Sequence, residues 1–167
     1  SITLASSPLY ALPTGINVAA GSASFSNPDA ATLQIDATDK TIINYSSFDI
    51  ASNESVIINL PGIDSAILNR VLGNSGTVIN GRLTCNGIFI LVNEKGIFFG
   101  PQANVDVGSL VASTRDIADS DFLSSKYIFG RLDKEQMDTL LKNQGHINDR
   151  EGVFGILIAG AIGNEVA

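Results

Sequence analysis

The chain has 167 residues, 44% of them hydrophobic and 16% charged, enough apolar material for one domain with its own core. Ten Lys+Arg against seventeen Asp+Glu leave a formal charge of −7, the wrong sign for a surface that must attract a phosphate backbone, so no nucleic acid partner is expected. A single cysteine, Cys85, and a single histidine, His146, exclude an internal disulfide, a CxxC zinc site and an internal redox pair, and no apolar stretch approaches the ~20 residues of a membrane-spanning helix.

Ser1 begins the chain without a charged segment leading into an apolar run, which leaves open a cytosolic protein or an exported one whose signal peptide has been removed. Sixteen glycines, with charge below the roughly 25% usual in soluble domains, favour short strands and tight turns over surface helices. Taken in order, short runs of strand-forming residues predict strands at Asn17–Ala20, Ala23–Ser26, Thr32–Asp36, Thr41–Tyr45, Ser55–Leu60, Thr77–Ile79, Gly87–Val92, Gly96–Phe99, Asn104–Val107 and Leu110–Ser113. Strict alternation in Thr32–Asp36 puts Leu33 and Ile35 on one face. Ile88 to Val92 is apolar on both faces, so its outer side needs a cover from another element or from a partner chain.

Between Val71 and Gly108 the punctuation is regular: Gly73-Asn74, Asn80-Gly81, Asn86-Gly87, Asn93 to Gly96, Gly100-Pro101, Asn104 and Gly108. Gly and Asn tolerate positive φ, which lets an extended chain turn at each of these points. Corners this frequent fit a solenoid of parallel coils better than a sandwich, whose turns come every eight to twelve residues. The expected fold class is therefore all-β, a parallel β-helix.

Residues 114–151 hold fourteen of the twenty-seven charges and read as a polar excursion over 115–151 from a body formed by 12–114 and 152–167. Within it, Asp116–Leu123 predicts a helical turn anchored by Ile117, Phe122 and Leu123. Leu132–Lys142 predicts one short helix near 133–142, with Asp133 as its cap, Gln136 three residues on and Gly145 as its stop. The chain then returns to strands through Gly152–Ile158. Its end, Ile158 to Asn164, is apolar and has no polar cap, as expected if further coils follow in a larger protein.

No catalytic, cofactor-binding or metal-ligating set emerges. His146 has no nucleophile elbow of the GxSxG kind to serve, and Cys85 reads as a small core thiol. Asp116, Asp119 and Asp121 lack the Gly and closing Glu of an EF-hand loop and read as capping residues on a solvated face. Neither GxxxxGK[ST] nor a helix-opening GxGxxG occurs. The run Phe89 to Val92 and the pair Phe98-Phe99 fit either core packing or a strip for a partner.

A series of blocks then stands out in order and spacing. These are Leu12-Pro13-Thr14-Gly15, Ala20 to Ala23, Ile43-Asn44-Tyr45-Ser46-Ser47-Phe48-Asp49-Ile50, Leu68-Asn69-Arg70-Val71, Gly81-Arg82-Leu83, Asn86-Gly87, Leu91 to Gly100 and Val111 to Ile117. Together they resemble the N-terminal secretion domain of two-partner secretion exoproteins, the filamentous-haemagglutinin or haemagglutination-activity type. The resemblance implies a right-handed parallel β-helix with an N-terminal cap and extra-helical elements, working as a secretion signal and folding nucleus of a large exported adhesin- or toxin-like protein. It implies as partners a cognate outer-membrane β-barrel transporter with periplasmic polypeptide-transport-associated domains and the downstream coils of the same polypeptide. It further implies a monomer that reaches the cell surface or medium through the periplasm of a Gram-negative-type bacterium, with no cofactor and no enzymatic activity. The family's Asn-Pro-Asn-Gly turn aligns with Asn93-Glu94-Lys95-Gly96, which keeps the outer Asn and Gly, and no counterpart of Asn-Pro-Asn-Leu is present. This turn is the expected transporter-recognition element, with Phe89, Leu91 and Phe98 on the neighbouring strands. A polysaccharide-acting β-helix enzyme and a direct surface adhesin are the alternative readings.

Overall fold

A computed structural model describes residues 11–127 and 129, and the strand backbones at 140–143, 146–149, 156–159 and 161–164. The elements run β1 (Asn17–Ala20), β2 (Ala23–Ser26), β3 (Thr32–Ala37), β4 (Thr41–Tyr45), β5 (Ser55–Asn59), β6 (Ala66–Val71), β7 (Thr77–Ile79), β8 (Arg82–Val92), β9 (Ile97–Phe99), β10 (Asn104–Ser113), α1 (Asp119–Leu123), β11 (Leu140–Asn143), β12 (His146–Asp149), β13 (Ile156–Ala159) and β14 (Ala161–Asn164).

Every strand from β5 onwards that pairs with an earlier coil does so in parallel, which winds the chain into the expected solenoid. Face one stacks β3, β5, the first halves of β8 and β10, and β12. Face two stacks β4, β6, the second halves of β8 and β10, and β13. Face three stacks β7, β9, β11 and β14. Two antiparallel strands close the N-terminal end, β1 against β4 and β2 against β3. With Leu12, Ile16, Val18 and Ala23 packed on the interior, this cap covers the first coil's apolar end. Buried Glu54 ties down the chain entering the cap: both its carboxylate oxygens accept from the Ala11 amide, at 3.0 and 3.1 Å, and Oε1 also accepts from the Ala51 amide at 2.9 Å.

The interior is a set of ladders in which like residues repeat from coil to coil. Leu33, Val56, Leu83 and Val105 stand in register on face one, and Ile67, Phe89 and Leu110 on face two. Each such side chain contributes about 1.5–3 kcal/mol on burial. Face two is also buried from outside: Ile42, Leu68, Ile90 and Val111 form a second row, packed with Ile117 and Phe122 of the segment that follows β10. That segment is the cover which the apolar run Ile88–Val92 demanded, and it comes from the same chain.

Several sequence expectations change. The strand β6 was not foreseen, because Asn69 and Arg70 interrupt its apolar run; both are buried and hydrogen-bonded. The runs read as separate strands at 104–107 and 110–113 are one strand, with a register shift between Val107 and Ser109. Of the helical turn expected over 116–123, residues 119–123 form α1; Ile117 and Phe122 are buried as anchors but Leu123 is exposed, and the N-cap is Ala118, with no side-chain cap bond. Of the helix expected over 133–142, residues 133–139 lie outside the described residues, while Leu140–Lys142 belong to β11, paired in parallel with β9 and β14. Leu140 and Leu141 are successive residues of one strand, at alternate positions of the pleat, instead of sharing one helix face. Both β11 and β12 fall within the stretch expected to leave the body, so pairing with the solenoid resumes by Leu140.

The corner glycines obey a different rule from the one expected. Among the corners at 73–108 only Gly96 has positive φ, at 116°. The others are needed because neighbouring coils approach too closely for a side chain: a Cβ at Gly87 would lie 2.4 Å from the Ser65 carbonyl oxygen.

Cys85 stacks inside face one between Ile58 and Val107, and burial pushes its thiol up to about 11. A raised thiol stays protonated at pH 8, so no modification by a disulfide reagent is expected in the native protein and one full equivalent in denaturant. A free-thiol titration checks this; rapid native labelling would contradict the interior placement.

Candidate functional site

The turn Asn93-Glu94-Lys95-Gly96 links faces two and three. The Asn93 amide donates to the Ser113 carbonyl at 3.0 Å, continuing the ladder to the next coil, and the Gly96 amide donates back to the Asn93 carbonyl at 3.1 Å. Asn93 Oδ1 accepts from the Lys95 amide at 2.9 Å. Its Nδ2 donates to the Ser75 carbonyl at 3.1 Å and to Thr77 Oγ1 at 3.0 Å, in the preceding coil. The Gly96 carbonyl accepts from the Thr77 amide at 2.9 Å. Asn93 and Gly96 are therefore buried corner residues, required for the shape of the turn, and they leave Glu94 and Lys95 as its exposed tip.

Shallow concavities flank this tip. On one side, an open groove of about 260 Å³ brings Lys95, Gly96 and Phe98 together with Thr77 and Val78. Phe98 is partly exposed and stands in register with half-exposed Val78 on the outside of face three. On the other side, a cavity of about 140 Å³ is lined by Asn93, Glu94 and Lys95 with Arg70, Leu72 and Asp116. The remaining expected recognition residues do not join this surface. Phe89 points into the solenoid, its ring 6.0 Å from that of Phe48, and Leu91 is equally enclosed. In the folded domain neither offers a partner any surface; contact with them requires the extended chain.

Sequence reasoning missed Arg70. Its guanidinium, almost wholly buried, spreads over four partners: Nε donates to Asp116 Oδ1 at 2.8 Å, Nη1 to Asn44 Oδ1 at 3.2 Å, and Nη2 to the Ile117 carbonyl at 2.7 Å and to Asp119 Oδ1 at 2.7 Å. Burial opposes the charge, but the two carboxylates more than offset it and hold the pKa above its usual value. Asp116 and Asp119, expected as capping residues on a solvated face, are thus the counter-ions of a buried arginine. An arginine inside a largely apolar run, with two Asp three residues apart downstream, was the available signal. Lys40, at positive φ 62° in the corner between β3 and β4, reaches the same segment: its ammonium donates to the Tyr127 hydroxyl at 3.1 Å and lies 5.2 Å from the Phe122 ring centroid.

Among the described residues no group of three or more His, Cys, Asp or Glu could hold a metal ion, and no helix is long and apolar enough to cross a membrane. His146 occupies a rung of β12 beside Asn104. The arrangement offers a turn and shallow surfaces, with carboxylates committed to structural bonds at Glu54, Asp116 and Asp119.

Comparison with known proteins agrees with this geometry. A family model described as the TPS secretion domain matches residues 13–165. A heme/hemopexin-binding protein of Haemophilus influenzae is 35% identical over 106 residues, covering 64% of this chain and 12% of that protein. A second Haemophilus influenzae protein of the same description is 33% identical over 99 residues, 59% of this chain and 11% of its own length. The chain thus corresponds to a small part of these relatives. The crystal structure of the HMW1 secretion domain from Haemophilus influenzae superposes with a TM-score of 0.81 at 27% identity, over 91% of this chain and 42% of that one.

Proposed function

Since the chain belongs to the TPS secretion domain family of two-partner secretion exoproteins, which cross the outer membrane of Gram-negative bacteria, we propose that it is the export address and folding nucleus of a larger secreted protein. A cognate outer-membrane β-barrel transporter binds it in the periplasm, after removal of a signal peptide, through polypeptide-transport-associated domains. Recognition uses the extended chain, in which Phe89 and Leu91 are accessible beside Phe98 and the Asn93–Gly96 turn. The domain then folds outside as a monomer, acts by binding and not by catalysis, and offers its last coil to the chain that follows.

One observation carries this reading: beyond the N-terminal cap, the coils stack on the coil before them in chain order. Each arriving coil finds a finished edge on which to pair, so folding proceeds as the chain emerges and needs no energy source beyond burial. A chain with one cysteine also forms no internal covalent loop that would obstruct a narrow barrel.

The test is export. The chain, preceded by a signal peptide, is expressed in a Gram-negative host with and without its cognate transporter, and the medium is assayed for folded, protease-resistant protein. Release that depends on the transporter is expected. Equal release in both strains, or retention in both, would overturn the proposal.

A further inference from the structure

The outer row of face two takes one residue from each of four successive coils: Ile42, Leu68, Ile90 and Val111. Ile117 and Phe122 pack with that row in one buried cluster. Two cations from the first two coils fasten the segment that carries them. Arg70 binds Asp116, Asp119 and the Ile117 carbonyl, and Lys40 binds Tyr127 and lies over the Phe122 ring. These ties bridge 46 residues between Arg70 and Asp116 and 87 between Lys40 and Tyr127.

We propose that Asp116–Tyr127 is a strap, fastened by Arg70, that closes over the four coils after they have stacked and holds the domain folded by slowing its unfolding. Chain order supports late closure: the strap follows β10, the last of the four strands it covers, and has no complete surface to bind until that strand is in place. Loop entropy acts in the same direction, because contacts this distant in sequence are unfavourable until stacking has brought their ends together. Interactions formed after the folding transition state change the unfolding rate and leave the folding rate nearly unchanged. The strap rests on contacts and chain order, not on the export route, so each idea can fail without the other.

Denaturant-jump kinetics on the 167-residue chain, followed by far-UV circular dichroism, test this. Arg70→Met is expected to speed unfolding by about tenfold or more while refolding stays within about twofold of wild type. Asp119→Asn and Lys40→Met, which alter half-exposed or outer groups, are expected to speed unfolding by about threefold each, and they keep the test available if Arg70→Met does not fold. Refolding slowed as much as unfolding is speeded would place the strap in the nucleus and overturn the proposal. Unchanged rates in Asp119→Asn and Lys40→Met would equally overturn it.

Discussion

Gly81→Ala is expected to destabilise the domain by more than about 3 kcal/mol, a large share of the 5–15 kcal/mol typical of a whole domain. The added methyl would sit 2.2 Å from the Ala51 carbonyl oxygen and 2.4 Å from that of Glu54, both backbone atoms of the previous coil. Neither can withdraw on its own, because the Ala51 carbonyl accepts from the Glu54 amide at 2.9 Å and the Glu54 carbonyl accepts from the Arg82 amide at 3.0 Å. Relief therefore means prising two coils apart. Gly62→Ala is the control: nothing lies within 4 Å of its added methyl, and it should be neutral or stabilising by up to about 1 kcal/mol. Urea titrations of the two variants against wild type measure both. Equal midpoints for Gly81→Ala and Gly62→Ala would refute the close-approach account of the corners.

Phe89→Ala is expected to cost about 3–5 kcal/mol. Phe89 fills the centre of the interior, in register with Ile67 in the coil before and Leu110 in the coil after, with Phe48 across from it. A ladder position contacts the coils on both sides, so the space left by truncation cannot close without a shift of the whole stack. Thermal and urea unfolding check the size of the loss. A cost below about 1 kcal/mol would mean that the interior repacks freely, contrary to a solenoid in which each rung fixes the next.

The solenoid was legible in the sequence because its cause is local. Short apolar runs such as Thr41–Tyr45 and Thr77–Ile79, separated by Gly and Asn at short intervals, admit few other arrangements, and the need for a cover over Ile88–Val92 followed from a strand apolar on both sides. What stayed hidden depends on contacts between distant residues. β6 is obscured by Asn69 and Arg70, whose burial makes sense only with their partners in place: Asn69 accepts from the Tyr45 hydroxyl at 2.7 Å and donates to the Ile90 carbonyl at 3.1 Å, and Arg70 finds its carboxylates some 46 residues away. Leu140 and Leu141 have helical spacing with Met137, but pairing with β9 and β14 decides in favour of strand. The corner glycines were located correctly and explained by the wrong property. Single-sequence reasoning sees backbone freedom at a glycine, whereas the proximity of the next coil appears only in three dimensions.

The candidate site was partly legible in the same sense. Spacing marked the turn at 93–96 only as a corner, and its recognition role is what the family resemblance implies; the structure divides it between Asn93 and Gly96, which shape the corner, and Glu94 and Lys95, which face outward. Phe89 and Leu91 read as core residues that could also serve a partner, and the fold commits them to the core. If they also take part in recognition, the two roles are separated in time, recognition first and burial after.

That order is open to direct measurement. The purified periplasmic domains of the transporter would be titrated against two forms of this chain, the folded wild type and a Gly73→Ala/Gly81→Ala chain in which backbone collisions at two corners block coil stacking. Tighter binding to the unstacked chain is the predicted result. Binding to the folded domain alone, or to neither form, would contradict it.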